Sequence, residues 1–306
     1  MISFEKWQTR VADEIQVESN NLRYSCAFYC PTESIDNRTI WSESYIKTRS
    51  HVLTSAVYDR DSVSINIANE DYSINNLSDF NLPEGRVLVD ATSLQVPELL
   101  HILRMLDAKS RNFDVMYVQP TAYTEKKTNA IGVYSFDLSD DGPGAEYLPP
   151  YVNYSFDSTL FVCLGYEGHR FGALINSESF STNYTKGLIG VPPFAVGMEY
   201  KSLSANYEHI LSTVSSPDSS FSVCGANDPL KAYSFIEQAH RSASYDRRPF
   251  SVAPLGTKPV ALATLVYAVN NKGVSLVYDF VRKKKGRSSG KDIVHMWSMK
   301  VTPTPE

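Results

Sequence analysis

Arg86-Val87-Leu88-Val89-Asp90, Pro97 to Ala108, and Asp114-Val115-Met116-Tyr117-Val118 are the segments on which the fold turns. The first is a short continuous apolar run closed by an aspartate. The second repeats Leu99, Leu100, Ile102, Leu103 and Leu106 at helical spacing, and the third is again a short apolar run. Strand, helix and strand within about 30 residues make a βαβ unit, the crossover that parallel strands require. Because the runs are continuous rather than alternating, the sheet they build is covered on both faces.

Further along the chain, apolar runs recur at 159–165, 221–224, 250–253 and 274–278, with helical patterns at 229–242 and 259–270. They predict a second α/β half. Residues 119–155 are irregular, with turn signals at Asp140-Asp141-Gly142-Pro143-Gly144 and Pro149-Pro150. Toward the start, Phe4, Trp7, Val11 and Ile15 are spaced by three or four, which predicts a helix within 4–19. Alternating segments at 52–58 and 62–67 flank an Asp59-Arg60-Asp61 turn. The expected architecture is therefore α/β: a small α+β module at 1–84, then a Rossmann-like, mostly parallel sheet with flanking helices over 85–306. That sheet is either one piece or two halves joined near 120–155.

The 306 residues are 42% hydrophobic and 21% charged, a globular composition. A net charge of −5 argues against general nucleic-acid binding while leaving room for a local basic patch. No stretch reaches the length of an apolar membrane span, and the first residues lack the order of a signal peptide, so the expectation is a soluble cytoplasmic chain without membrane association. Four cysteines are too few for a disulfide scaffold; Cys163 and Cys224 sit in apolar runs as small hydrophobes, and no zinc set is completed.

The informative polar residues follow the strands. Asp90, Thr92 and Ser93 follow the first run, Glu167, His169 and Arg170 another, and Asn227 the next. Gly256, Thr257 and Lys258 follow residue 253, and Asp279 begins the segment that carries Lys283 and Arg287. Carboxyl ends of parallel strands share one edge, where ligands bind and where the next helices point their amino ends. Pro97, Pro229 and Pro259 stand near such helix starts, whose free N–H groups attract anions. Thr257 and Lys258 would contact a phosphate, Lys283 and Arg287 a second one, and Asp90, Thr92 and Ser93 hydroxyls or base edges. Local readings stand beside these: Asp228 is a good N-cap, and Thr92 or Ser93 can stabilise a turn.

The order Ala253-Pro254-Leu255-Gly256-Thr257-Lys258-Pro259-Val260-Ala261-Leu262-Ala263, followed by a strand at 274–278, resembles the late motif of CRISPR-associated Rossmann-fold sensor domains. The Asp90-Ala91-Thr92-Ser93 loop is similar to the polar loop after their first strand. The resemblance implies a domain that binds signalling oligonucleotides through these loops, often at a symmetric dimer face, in antiviral defence.

Three functions compete. The first is a module binding a nucleotide or other phosphorylated ligand. The second is a hydrolase or transferase acting on a nucleotide, with Glu167, His169 and Asp279 as acid and base groups. The third is an adaptor subunit whose aromatic side chains serve protein partners. No cofactor is named by the pattern, and no metal site is expected.

Overall fold

The computed structural model describes residues 1–15, 22–31, 36–126, 135, 136, 138–140, 142, 144–153, 155, 157–177, 184–213 and 220–303. In chain order the first strands are β1 (Ile2–Val11), β2 (Tyr24–Tyr29), β3 (Ser50–Asp59), β4 (Ser64–Ile67), β5 (Glu70–Ser73), β6 (Val87–Asp90) and β7 (Phe113–Val118). The later ones are β8 (Glu146–Tyr147), β9 (Thr159–Cys163), β10 (Thr185–Gly190), β11 (Phe221–Cys224), β12 (Phe250–Pro254), β13 (Val274–Tyr278) and β14 (Ile293–Val301). The helices are α1 (Asn37–Arg49), α2 (Val96–Ala108), α3 (Gly168–Ile175), α4 (Met198–Thr213), α5 (Pro229–Tyr245) and α6 (Lys258–Asn270).

The chain forms a mixed α/β protein of two units, Met1–Thr121 with Ser288–Glu306, and Ala122–Arg287. The division falls at 121/122 and 287/288 rather than at 84/85. The reason is hydrogen bonding: β6 lies between β2 and β7, so residues on both sides of position 84 build one sheet. Its order is β1-β14-β7-β6-β2-β3-β4-β5. Strands β3, β2, β6 and β7 are mutually parallel, while β14 and β1 continue one side and β4 and β5 the other in antiparallel fashion. Every residue of β6 and β7 is buried, as expected of central strands covered on both faces. Ile46 of α1 packs on Ala27, Leu88, Met116 and Val294 from four different strands.

The helix expected within 4–19 is instead strand β1, antiparallel to β14. A β-bulge between Phe4 and Lys6 explains the misleading spacing. Phe4 pairs with Met299 and Trp7 with Trp297, so the extra residue puts two side chains three apart on one face of a strand. Residues 16–19 of that expected helix, and Asp141 and Pro143 of the expected turn, lie outside the described residues.

The second sheet has the order β8-β13-β12-β9-β10-β11. The five strands β9 to β13 are parallel, and β8 pairs antiparallel to β13. Counted from β9 as the first, the parallel strands stand as 3-2-1-4-5. On one face Phe171, Leu174 and Ile210 of α3 and α4 meet Leu160, Val162 and Ile189. On the other, Thr264 of α6 reaches Cys163, whose side chain points away from that of Val162. Burial pushes the Cys163 thiol up to about 12, so it behaves as a small protonated hydrophobe. Helix α6 is buried at every residue from Pro259 to Ala268, the mark of a helix enclosed by its neighbours.

In the first unit β1 and β14 carry a stack of rings, with His295 5.9 Å from Trp7 and 5.5 Å from Trp297. The Trp7 indole N–H donates to His295 Nδ1 at 3.3 Å, which leaves the proton on Nε2 to donate to Gln119 Oε1 at 3.1 Å. Burial lowers the His295 imidazole from 6.5 to about 4, and that of His101 to about 3. The unfolded chain therefore binds protons below pH 6.5 that the fold refuses. The stability these two groups contribute is complete above pH 6.5 and is lost as the pH falls toward 4. Urea unfolding across this range should show a slope of up to about 1.4 kcal/mol per pH unit for each imidazole. His295→Phe should remove its share; an unchanged slope would show that this ring does not titrate with folding.

Candidate functional site

At the carboxyl edge of the first unit the polar loop after β6 is drawn inward. Asp90 is 1% exposed. Its Oδ1 accepts the Thr92 N–H at 3.0 Å, and its Oδ2 accepts the hydroxyls of Ser93 at 2.8 Å and Ser42 at 3.0 Å. Burial nevertheless raises the Asp90 carboxyl above its ordinary value. Thr92 accepts the Val118 N–H, and Ser93 the Cys30 N–H. The three side chains thus tie the ends of β2, β6 and β7 to α1.

Beside them Asp36 and Arg38 form a buried pair, with Arg38 Nη2 2.6 Å from Asp36 Oδ2. Ser288 donates to the same carboxylate at 2.5 Å, and Arg38 also reaches Val118 O and the Tyr117 hydroxyl. Burial alone would raise Asp36, but the Arg38 charge and these hydrogen bonds hold it below the usual carboxylate range.

The remaining expected site residues stand in the second unit, in the loops and helix starts after its strands and, for Lys283, in a short ladder with Ser139, so the full set does not line one rim of one sheet. The chain leaves β7 for a new sheet instead of extending the first. Within the second sheet, however, the expected gathering at one edge is real, because β9, β11, β12 and β13 all end there.

Several of those side chains hold the frame. Glu167, 8% exposed, accepts Leu138 N at 3.0 Å, Ser139 N at 2.9 Å and the Ser139 hydroxyl at 2.9 Å. Arg170 and Asp279 make a two-pronged pair of 2.6 and 2.7 Å, and Asp279 is 4% exposed. Burial would lower the Arg170 pKa, but the Asp279 carboxylate outweighs it and raises it. Asp228 caps α5 by accepting Lys231 N at 2.9 Å. The Thr257 hydroxyl donates to Ala226 O, which joins the loops after β12 and β11.

What faces outward is a smaller set. His169 is exposed on α3, while Asn227, Gly256, Lys258, Lys283 and Arg287 are half-buried. The amino end of α3 is closed: a Cβ on Gly168 would lie 1.7 Å from Ala205 O of α4. The start of α6 has no side-chain cap, because the Thr257 hydroxyl has turned to Ala226. Gly165 and Gly256 allow the neighbouring loops to touch; a Cβ on Gly165 would come within 2.4 Å of Leu255 O.

Comparison with protein-family models gives no match for the chain, and comparison with curated proteins gives none either. Among the described residues no three His, Cys, Asp or Glu side chains gather as metal ligands, and no helix is long and apolar enough to cross a membrane.

A cleft of about 790 Å³ lies elsewhere, from the amino edge of the first unit's parallel strands, where Arg23, Arg49 and Arg86 line it, along β1 and β14 to Arg10 and Val294. These residues escape a pattern built on carboxyl ends. Yet each immediately precedes a strand, Arg23 before β2, Arg49 before β3 and Arg86 before β6.

The framework role of Asp279 is open to measurement. Asp279→Asn should cost about 3–5 kcal/mol in urea unfolding, because it strands a buried guanidinium. Replacing both partners, Arg170→Met with Asp279→Leu, should recover most of that loss. Unchanged stability in Asp279→Asn would remove the pair from the frame.

Proposed function

We propose that the second unit is a Rossmann-like module that binds a nucleotide or another phosphorylated ligand at the carboxyl edge of its sheet. Support comes from the strand order 3-2-1-4-5, which doubly wound dinucleotide-binding sheets share and which sets a crevice between the first and fourth strands, here β9 and β12. The observation that carries the reading is the uncapped start of α6. There Lys258 supplies a charge, and the first-turn N–H groups carry the positive end of the helix dipole.

Arg170 and Asp279 hold the loops after β9 and β13 together, and Glu167 anchors 138–139, so these residues shape the site from beneath. Asn227 reaches it through the loop that Thr257 fastens. Lys283 and Arg287, in the segment after β13, supply charge at the mouth for a second phosphate. The resemblance to CRISPR-associated sensor domains favours a signalling nucleotide in antiviral defence, read out through a protein partner or a second copy of the chain.

Calorimetry with a panel of mononucleotides, dinucleotides and inorganic phosphate tests the reading. Lys258→Ala should weaken the tightest ligand by at least about tenfold, the worth of one charge-assisted hydrogen bond. Equal affinity in wild type and variant would take Lys258 out of the site and the proposal with it.

A further inference from the structure

The amino edge of the first unit gathers cations in a way the carboxyl edge does not. Arg23, Arg49 and Arg86 immediately precede β2, β3 and β6, and Arg111 lies two residues before β7. These four strands are parallel neighbours in the order β3-β2-β6-β7, so their starting residues lie along one side. Adjacent strands are about 4.8 Å apart, which sets Arg49, Arg23 and Arg86 in a row on one cleft wall, while Arg111 beyond them donates to Pro83 O and Gly85 O. Antiparallel pairing prolongs it, since Ser298 of β14 stands beside Asp114 and Lys6 of β1 beside Ser298. From β3 to β1 the row crosses five strand spacings, about 24 Å.

Two clefts open from this row, and the larger runs on along β1 and β14 to Arg10, which pairs with Val294 at the level of Val118, the far end of β7. The one of about 790 Å³ has five basic side chains on its wall, those of Lys6, Arg10, Arg23, Arg49 and Arg86, against the two carboxylates of Glu5 and Asp114. The other, of about 690 Å³, shares Glu5, Arg86 and Ser298 with it and adds Arg111 and Glu84, so its charges balance. Asp114 cancels the charge of Arg86, so neither adds much field at the surface. Asp114 is 4% exposed on its side chain, paired with Arg86 at 2.7 Å, and accepts the Tyr24 hydroxyl at 2.8 Å. Lys6, Arg10 and Arg23 are exposed, and among the described residues none is paired with a carboxylate. Such a concentration of positive charge runs against the net charge of −5 of the whole chain.

We propose that this groove binds a short single-stranded oligonucleotide through its phosphates. The length of the row selects an extended polyanion, because one phosphate group needs cations at a single point rather than across six strands. The cleft is partly apolar: half-buried Ile15 and Met296 offer surface to a base while the arginines track the backbone, and the Tyr45 ring is already stacked on Trp41 and covered by Arg49. This is a second site, independent of the carboxyl edge of the other unit.

The test is fluorescence anisotropy of the full chain with labelled single-stranded DNA and RNA of about ten nucleotides, at several salt concentrations. Binding should weaken linearly in log salt. The double variant Arg10→Gln, Arg23→Gln, which alters two exposed side chains, should bind about tenfold more weakly and with a shallower salt slope. Its circular dichroism and unfolding midpoint should match those of wild type. Lys258→Ala should leave this binding intact, which separates the groove from the site at α6. Absence of binding at low salt would overturn the proposal, as would equal affinity and slope in the double variant. Displacement of the strand by an equal concentration of ATP or of duplex would overturn its claim to a single-stranded occupant.

Discussion

Parallel pairing is the constraint on which the molecule rests. A parallel strand can follow its neighbour only after a crossover has carried the chain back to the starting side, so all starts share one edge and all ends the other. In the first unit β2, β3, β6 and β7 obey it, and in the second β9 to β13 do. Residues far apart in the chain are thereby sorted by whether they precede or follow a strand. Arginines that precede strands collect at one edge of the first unit. Glycines, hydroxyls and carboxylates that follow strands collect at the other edge, once in each unit.

The two edges then diverge in energetics. The carboxyl ends carry groups that burial forces into pairs: Asp90 with three donors, Asp36 with Arg38, Arg170 with Asp279, Glu167 with the backbone at 138 and 139. An unpaired buried charge is costly, so such groups are satisfied from within and they lock loops together. At the amino edge of the first unit Lys6 and Arg23 keep their charged heads in water on long stems, while Arg86 is paired with Asp114 and Arg111 donates to Pro83 O and Gly85 O.

Much of this was legible in the residues. The βαβ pattern at 86–118 and helices at 229–242 and 259–270, which the structure extends to Pro229–Tyr245 and Lys258–Asn270, follow from continuous apolar runs, helical spacing and proline at helix starts. So did the placement of Glu167, Asn227, Lys258 and Asp279 at one edge of a common sheet. Strand β1 was not legible, because a bulge between Phe4 and Lys6 reproduces helical spacing inside a strand. The division into units was hidden too, since β14 returns from position 293 to pair with β7 and β1, and nothing local announces so distant a partner.

The sequence by itself determined the strands near 86–90, 114–118, 159–165, 221–224, 250–253 and 274–278, the helices at 97–108, 229–242 and 259–270, and the polar residues that follow those strands, because apolar periodicity and turn chemistry are local properties. It did not mark β2, β10, α1, α3 or α4. Tertiary structure alone decided which of those polar groups are consumed. Whether Asp279 meets Arg170, whether Thr257 caps its helix or turns to Ala226, and whether Gly168 lies open or beneath α4 depend on neighbours tens of residues away. A buried charge takes whichever partner packing brings within hydrogen-bond reach, and packing is a property of the whole fold.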